Sequence, residues 1–236
     1  MAHLSILLFG LIFFSSTASA TLIDLGGGLI YDDFHDITWL SDANYAKTTG
    51  YTAPDVDSST GAMSWNAAMI WAEQLVYAGT DDWRLPTAYN QDGSGPDTIN
   101  GGYIDDGKYS EMEHLFYVDL GGTYGTSIYN STDPDLALFS NIVTYQSTAP
   151  ETYDTYWTSD DGWSGRKRYF AFTNGTQWAK NPNDPNGHGW GVAWAVHDGR
   201  LSSPVPEPTT ILLFGTGLLG LAGIRSKKKL RGKFFG

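Results

Sequence analysis

The chain contains no cysteine. That absence excludes a disulfide framework, a thiolate nucleophile and every zinc site built on sulfur, so the fold must hold by its apolar core alone. Basic residues are also scarce. The whole chain has 14 Lys and Arg against 26 Asp and Glu, and six of the basic ones crowd into the last dozen positions. Between Thr21 and Ser203, 8 basic side chains face 25 acidic ones, a net charge of −17. Such a surface repels phosphate backbones, which argues against nucleic-acid binding and for solubility outside the cell. Catalytic signatures are missing as well. There is no G-x-S-x-G elbow, no phosphate-binding loop, no H-E-x-x-H helix and no calcium loop with the EF-hand spacing. Gly26-Gly27-Gly28 leads into a strand rather than a helix, so it is not a dinucleotide fingerprint.

Apolar runs are confined to the two ends. Leu4–Phe14 is apolar apart from Ser5 and Gly10, and small residues follow up to Ala18-Ser19-Ala20. This is the pattern of a secretory signal peptide over residues 1–20, with Ala18 and Ala20 at the cleavage site and Thr21 as the first mature residue. The n-region has no Lys or Arg, only His3. At the other end Pro206-Glu207-Pro208 precedes a Gly-rich apolar stretch at 209–224. A basic end at 225–236 follows, with Arg225, Lys227, Lys228, Lys229 and Arg231. An apolar span backed by positive charge is a stop-transfer pattern that leaves the preceding domain outside. The order of triplet, apolar stretch and basic tail closely resembles the PEP-CTERM sorting signal, here 204–236. That resemblance implies export through the secretion machinery and anchoring in the inner membrane as a precursor. It also implies recognition by an exosortase and release to the outer surface or extracellular matrix of a Gram-negative, exopolysaccharide-producing cell.

The segment between these ends, 21–203, is the length of one domain. Its Gly, Asp, Asn, Thr and aromatic content favours short strands and long ordered loops. Strands are expected at Leu22–Asp24, Leu29–Asp32 and Thr38–Leu40, around Tyr156-Trp157-Thr158, at Arg168–Phe172 and Thr176–Trp178, and as one final buried strand over Gly191–His197. Asn174-Gly175 signals a hairpin. One helix is expected over Trp65–Leu75 behind Ser64 as N-cap, and a second over Ser110–Tyr117 with Glu113 completing a capping box. The stretches 88–108, 124–141 and 181–189 read as loops, the second with short extended pieces.

Several motifs in fixed order resemble a family of exported domains of unknown function, the Lcl C-terminal domain. They are Gly28-Leu29-Ile30-Tyr31-Asp32, Ile37-Thr38-Trp39-Leu40, Met63-Ser64-Trp65 with its helix, Asp82-Trp83-Arg84-Leu85-Pro86-Thr87, Ser110-Glu111-Met112-Glu113-His114-Leu115-Phe116, Tyr156-Trp157-Thr158-Ser159 and Ala195-Val196-His197-Asp198-Gly199. The Trp-Arg-Leu-Pro-Thr stretch is also similar to formylglycine-generating-enzyme-like proteins, whose copper chemistry is not transferable without cysteine. His197 stands where the family usually has Arg. The resemblance implies an α+β, C-type-lectin-like fold: a twisted, mostly antiparallel sheet, two helices, and long loops on a ligand-facing side.

The candidate residues divide accordingly. Trp83, Arg84, Leu85, Pro86 and Thr87 form a structural motif, with Arg84 expected to pair with a carboxylate such as Glu111. The histidines at 35, 114, 188 and 197 show no ligand spacing, so no metal is assigned. Acidic groups at Asp32-Asp33, Asp81-Asp82, Asp105-Asp106, Asp133-Pro134-Asp135 and Asp160-Asp161 read as solvated charge, with loop-bound Ca²⁺ the alternative. Tyr103, Trp163, Trp178 and Trp190 fall in or near loops, where aromatic faces can stack on sugars. Trp39, Trp65, Trp71, Trp83, Trp157 and Trp194 belong to the core. The expected function is therefore a non-enzymatic surface or matrix protein that binds exopolysaccharide. The alternatives are an enzyme acting on envelope glycans and a purely structural surface component.

Overall fold

The computed structural model describes residues 22–96, 108–144, 147–148, 151–152, 154–184 and 189–202. These lie within a compact unit that ends at Ser202. The expected signal peptide at 1–20, Tyr103, Asp105-Asp106, His188, the Pro206-Glu207-Pro208 triplet, the apolar stretch 209–224 and the basic tail lie outside the described residues. Among the described residues no helix is long and apolar enough to cross a membrane.

The architecture is α+β, with two main sheets and few helices. One sheet holds five antiparallel strands in the order β1 (Leu22–Gly26), β2 (Leu29–Asp32), β3 (Ile37–Leu40), β13 (Val196–Asp198) and β6 (Trp83–Arg84). The second orders β11 (Thr176–Lys180), β10 (Lys167–Ala171), β9 (Tyr156–Asp161), β12 (Gly191–Val192), β5 (Ala62–Met63) and β4 (Val56–Asp57). Here only the β9–β12 pair is parallel. A small antiparallel ladder joins β7 (Ser147–Thr148) to β8 (Glu151–Thr152).

The expected final strand is two strands, and this is the main correction to the sequence reading. Gly191–Val192 pairs with β5 and β9, whereas Val196–Asp198 pairs with β3 and β6. Ala193-Trp194-Ala195 crosses from one sheet to the other and is completely buried. A continuous apolar run fits either a buried strand or a buried crossing, because both faces are covered in each case. Trp194 sits at the crossing, donates its indole N–H to the Leu40 carbonyl at 2.7 Å, and packs 5.0 Å from Trp39 and 5.3 Å from Tyr156. Trp39, Trp71, Trp83, Trp157 and Trp194 are buried as expected. Trp65 is half-buried at the rim, with the Lys167 ammonium 3.7 Å from its ring.

Helix α1 is one turn, Tyr45–Thr48. Helix α2 spans Trp65–Glu73; the Ser64 hydroxyl accepts the Ala67 N–H at 3.2 Å, and Ala68, Trp71 and Ala72 face the core. The second expected helix begins on its capping box, with the Ser110 N–H donating to Glu113 Oε2 at 2.7 Å. It changes character early. Helix α3 covers only Glu111–His114, and Leu115–Asp119 continues as a π-turn. Residues 124–141 contain 3-10 turns at Ile128–Asn130 and Pro134–Leu138, where extended pieces were expected. Asp133 and Pro134 account for the second turn, one capping it through the Asp135 N–H and the other fixing φ at its first position. The Asn174-Gly175 hairpin has a four-residue connection, closed by Ala171 opposite Thr176.

Candidate functional site

Three side-chain groupings merit chemical scrutiny, and the first is the Arg84 motif. Pro86 restricts Leu85 to extended geometry, so β6 buries Trp83 and turns Arg84 toward the sheet edge. The Arg84 guanidinium meets Glu111 in a two-pronged ion pair, Nη1 to Oε2 at 3.0 Å and Nη2 to Oε1 at 2.6 Å. Its Nε and Nη2 also donate to Asp198 Oδ1, and Nη1 donates to the Leu85 carbonyl. Glu111 in turn accepts the Thr87 N–H at 2.8 Å. With its donors occupied by protein, Arg84 joins β6, α3 and the end of β13. Asp160 does similar work nearby, accepting from Thr87 Oγ1 and the Ala88 N–H.

The second grouping is an aromatic and cationic edge on the β9–β10 hairpin. The tip runs Gly162–Arg166, and Ser164 takes a positive φ of 54°. This leaves Trp163 43 % exposed. Its ring meets Trp178 edge-on at 5.1 Å, while the guanidinium carbons of Arg166 and Arg168 each lie 5.9 Å from its centre. Trp178 is on strand β11, in the strand expected there, and is half-buried. Trp190 is also half-buried; its carbonyl accepts from Lys180 Nζ. That ammonium donates to Thr155 Oγ1 at 2.6 Å and lies 4.7 Å from the Trp157 ring. Burial pushes Lys180 down to about 7, against the opposing pull of Asp154. On another part of the surface, two adjoining hollows of about 290 and 280 Å³ share Tyr51 and Gln74 as walls.

The third grouping is one that spacing did not reveal. Asp32 at the end of β2, His35 in the following turn and His114 at the end of α3 each offer a ligand atom, and these lie within 4.8 Å of one another. Asp32 and His114 are 1 % exposed, and the His35 side chain is 5 % exposed. Asp32 Oδ1 accepts the backbone N–H groups of Phe34 and His35, which fixes the turn, and Oδ2 faces His35 Nδ1 at 3.3 Å. His35 Nε2 points at the Tyr109 carbonyl, also at 3.3 Å. His114 Nδ1 lies 2.8 Å from Asp119 Oδ2. The ring of Phe34 stacks on His114 at 4.0 Å, nearly parallel. Burial alone would raise the Asp32 carboxyl, but the hydrogen bond and charge of His35 outweigh it and hold Asp32 below its usual range. The same pairing lifts His35 above its usual range in spite of its burial. Burial raises Asp119 by more than His114 offsets. The sequence signal was faint: three ligand-type residues in two segments some eighty positions apart.

Of the acidic groups weighed for calcium, Asp32, Asp133 and Asp160 cap turns or backbone N–H groups, and Asp161 pairs with Lys167.

No curated protein and no solved structure matches the chain. The PEP-CTERM protein-sorting motif matches residues 204–228. It covers the tail alone and leaves the folded unit unassigned. The tail nevertheless carries its own information, because an apolar segment bracketed by Pro-Glu-Pro and a basic end is addressed to the membrane. The motif implies an exported protein that an exosortase recognises and processes at the membrane.

Proposed function

We propose that this chain is a non-enzymatic surface or matrix protein that binds acidic exopolysaccharide through the Trp163–Trp178 edge. The observation that carries the reading is Trp163 itself. An indole nearly half exposed on a hairpin tip, edge-on to a second indole and beside two guanidinium groups, presents an aromatic face on which a ligand can stack. Sugar rings offer apolar C–H faces to an indole, and uronate or pyruvate groups offer carboxylates to arginine. The local charge supports this reading. At this edge Arg166 supplies the accessible cation, since Arg168 is buried behind the Trp163 ring and Lys167 is paired with Asp161. The sorting tail supports it from the side of location, since a protein delivered to the envelope of a polysaccharide-producing cell meets that polymer first.

The folded unit is read as C-type-lectin-like, on the order of its motifs together with the return of β13 beside β3. The precursor is read as anchored through 209–224 and then released to the outer surface or matrix. The test is affinity electrophoresis of the processed protein in gels containing the host's own acidic exopolysaccharide. Retardation that Trp163→Ala abolishes, with unfolding unchanged, is the expected result. Equal mobility of both proteins would leave a structural surface component, and release of reducing ends would assign an enzyme instead.

A further inference from the structure

We propose that Asp32, His35 and His114 form a buried site for one divalent transition-metal ion, of the kind that zinc occupies, with Asp119 orienting His114. Four features of the geometry lead there. First, Asp32 Oδ2 and His35 Nδ1 stand 3.3 Å apart. That is long for a charge-assisted hydrogen bond, which runs about 2.7–2.9 Å. It matches the edge of about 3.4 Å expected between two ligands of a tetrahedral ion with bonds of ~2.0–2.1 Å. The remaining edges, at most 4.8 Å, close to that value by side-chain shifts of about 1 Å.

Second, both imidazoles are oriented from behind. With an ion in place, His35 would donate Nε2–H to the Tyr109 carbonyl and turn its Nδ1 lone pair to the metal instead of a proton to Asp32, and His114 would donate Nδ1–H to Asp119 and ligate through Nε2. A carbonyl or carboxylate behind each ligating histidine is the usual outer shell of a metal site, because it fixes the tautomer and strengthens the donor. Third, the arrangement requires the π-turn. Residues five apart lie about 140° apart around an α-helix, so Asp119 would point away from His114 there. The wider turn, closed by the i to i+5 bond from Leu120 N–H to the Leu115 carbonyl, brings it back to the His114 ring. Fourth, the charges balance. Two carboxylates held almost completely out of water are offset by one divalent cation.

Two nitrogens and one carboxylate oxygen suit zinc or a neighbouring first-row ion better than calcium, which takes six to eight oxygens. The site has three protein donors and leaves the fourth tetrahedral position to a water molecule, enclosed under Phe34 and Tyr109. It would pin the β2–β3 turn to α3, two segments that are far apart in sequence. Zn²⁺ or Co²⁺ alone serves as the probe on processed protein purified without chelator, then stripped and reloaded. The expected result is one equivalent of metal per chain and tetrahedral d–d bands with Co²⁺. The thermal midpoint should rise by about 5–10 °C when free metal exceeds Kd a hundredfold. Asp32→Asn and His114→Gln should lose the metal, and Asp119→Asn should weaken binding by about 10- to 100-fold. Folded wild-type protein that takes up no stoichiometric metal would overturn the proposal and leave a buried carboxylate–imidazolium pair. Uptake that persists in folded Asp32→Asn would overturn it equally. Should the variants fail to fold, the Co²⁺ spectrum of the wild-type protein decides, since octahedral aqua-like bands reject the site.

Discussion

Arg84 and Glu111 lie 27 residues apart and meet through two near-parallel N–H···O bonds, at 3.0 and 2.6 Å. The pair fastens the short strand β6 to the first residue of α3, and so sets the position of His114 three residues further on. Glu111 is 5 % exposed and Arg84 33 % exposed, so water reaches one side of the pair only. Arg84→Lys should therefore destabilise the domain by about 1–3 kcal/mol, because an ammonium cannot reproduce the fork. Glu111→Gln should cost a similar amount. Urea unfolding midpoints check both; no movement in either would mean that solvent replaces the pair without loss.

Gly122 follows the π-turn, and a Cβ there would sit 2.5 Å from Phe116 Cε1 and 2.6 Å from the Phe116 carbonyl oxygen. The ring can rotate away, but the backbone oxygen cannot, and it already accepts the Gly122 N–H at 2.7 Å. Gly122→Ala is expected to destabilise by about 1–3 kcal/mol through overpacking. The thermal midpoint reports it, and an unchanged midpoint would show that the chain after Leu120 yields more readily than its contacts suggest.

Lys180 gives the protein an alkaline dependence of stability. Its folded value, pushed down by burial to about 7, lies below the ordinary lysine value of 10.5. Between these limits the unfolded chain binds the proton that the folded chain has released, so stability rises with pH from about 7 toward 10. Below 7 the folded state carries the full cost of the enclosed ammonium. Lys180→Met should flatten this slope and raise stability near neutral pH. Melting curves from pH 7 to 9.5 test the sign, and a wild-type midpoint that falls over that range as steeply as the variant's would contradict it.

Processing can be read from intact mass. The protein recovered from its host's envelope and medium should begin at Thr21 and end near Pro208. Loss of the host's exosortase, or replacement of Pro206, Glu207 and Pro208 by alanine, should leave a membrane-bound chain that runs through Gly236. A full-length product in the untouched host would make the tail a plain anchor.

Much of the local structure could be read from the sequence because its determinants are local. The caps at Ser64 and Ser110, the hairpin at Asn174-Gly175 and the break at Pro86 depend on neighbours within four residues, so their signatures survive without tertiary context. The alternating pattern around Tyr169 and Phe170 marked a strand for the same reason. The apolar run at Val192–Val196 was misread as one strand because full burial erases the alternation that distinguishes a strand from a crossing.

The sorting motif at 204–228 is set by composition along a single stretch, hydropathy followed by charge, and the sequence alone determines it. The meeting of Asp32, His35, His114 and Asp119 is of another kind. It depends on β2 and α3 packing together and on one widened helical turn, and a periodic reading of either segment contains neither fact. Ligand spacing is visible in sequence only when ligands share an element. Here they come from two elements, and only the tertiary structure brings these residues together.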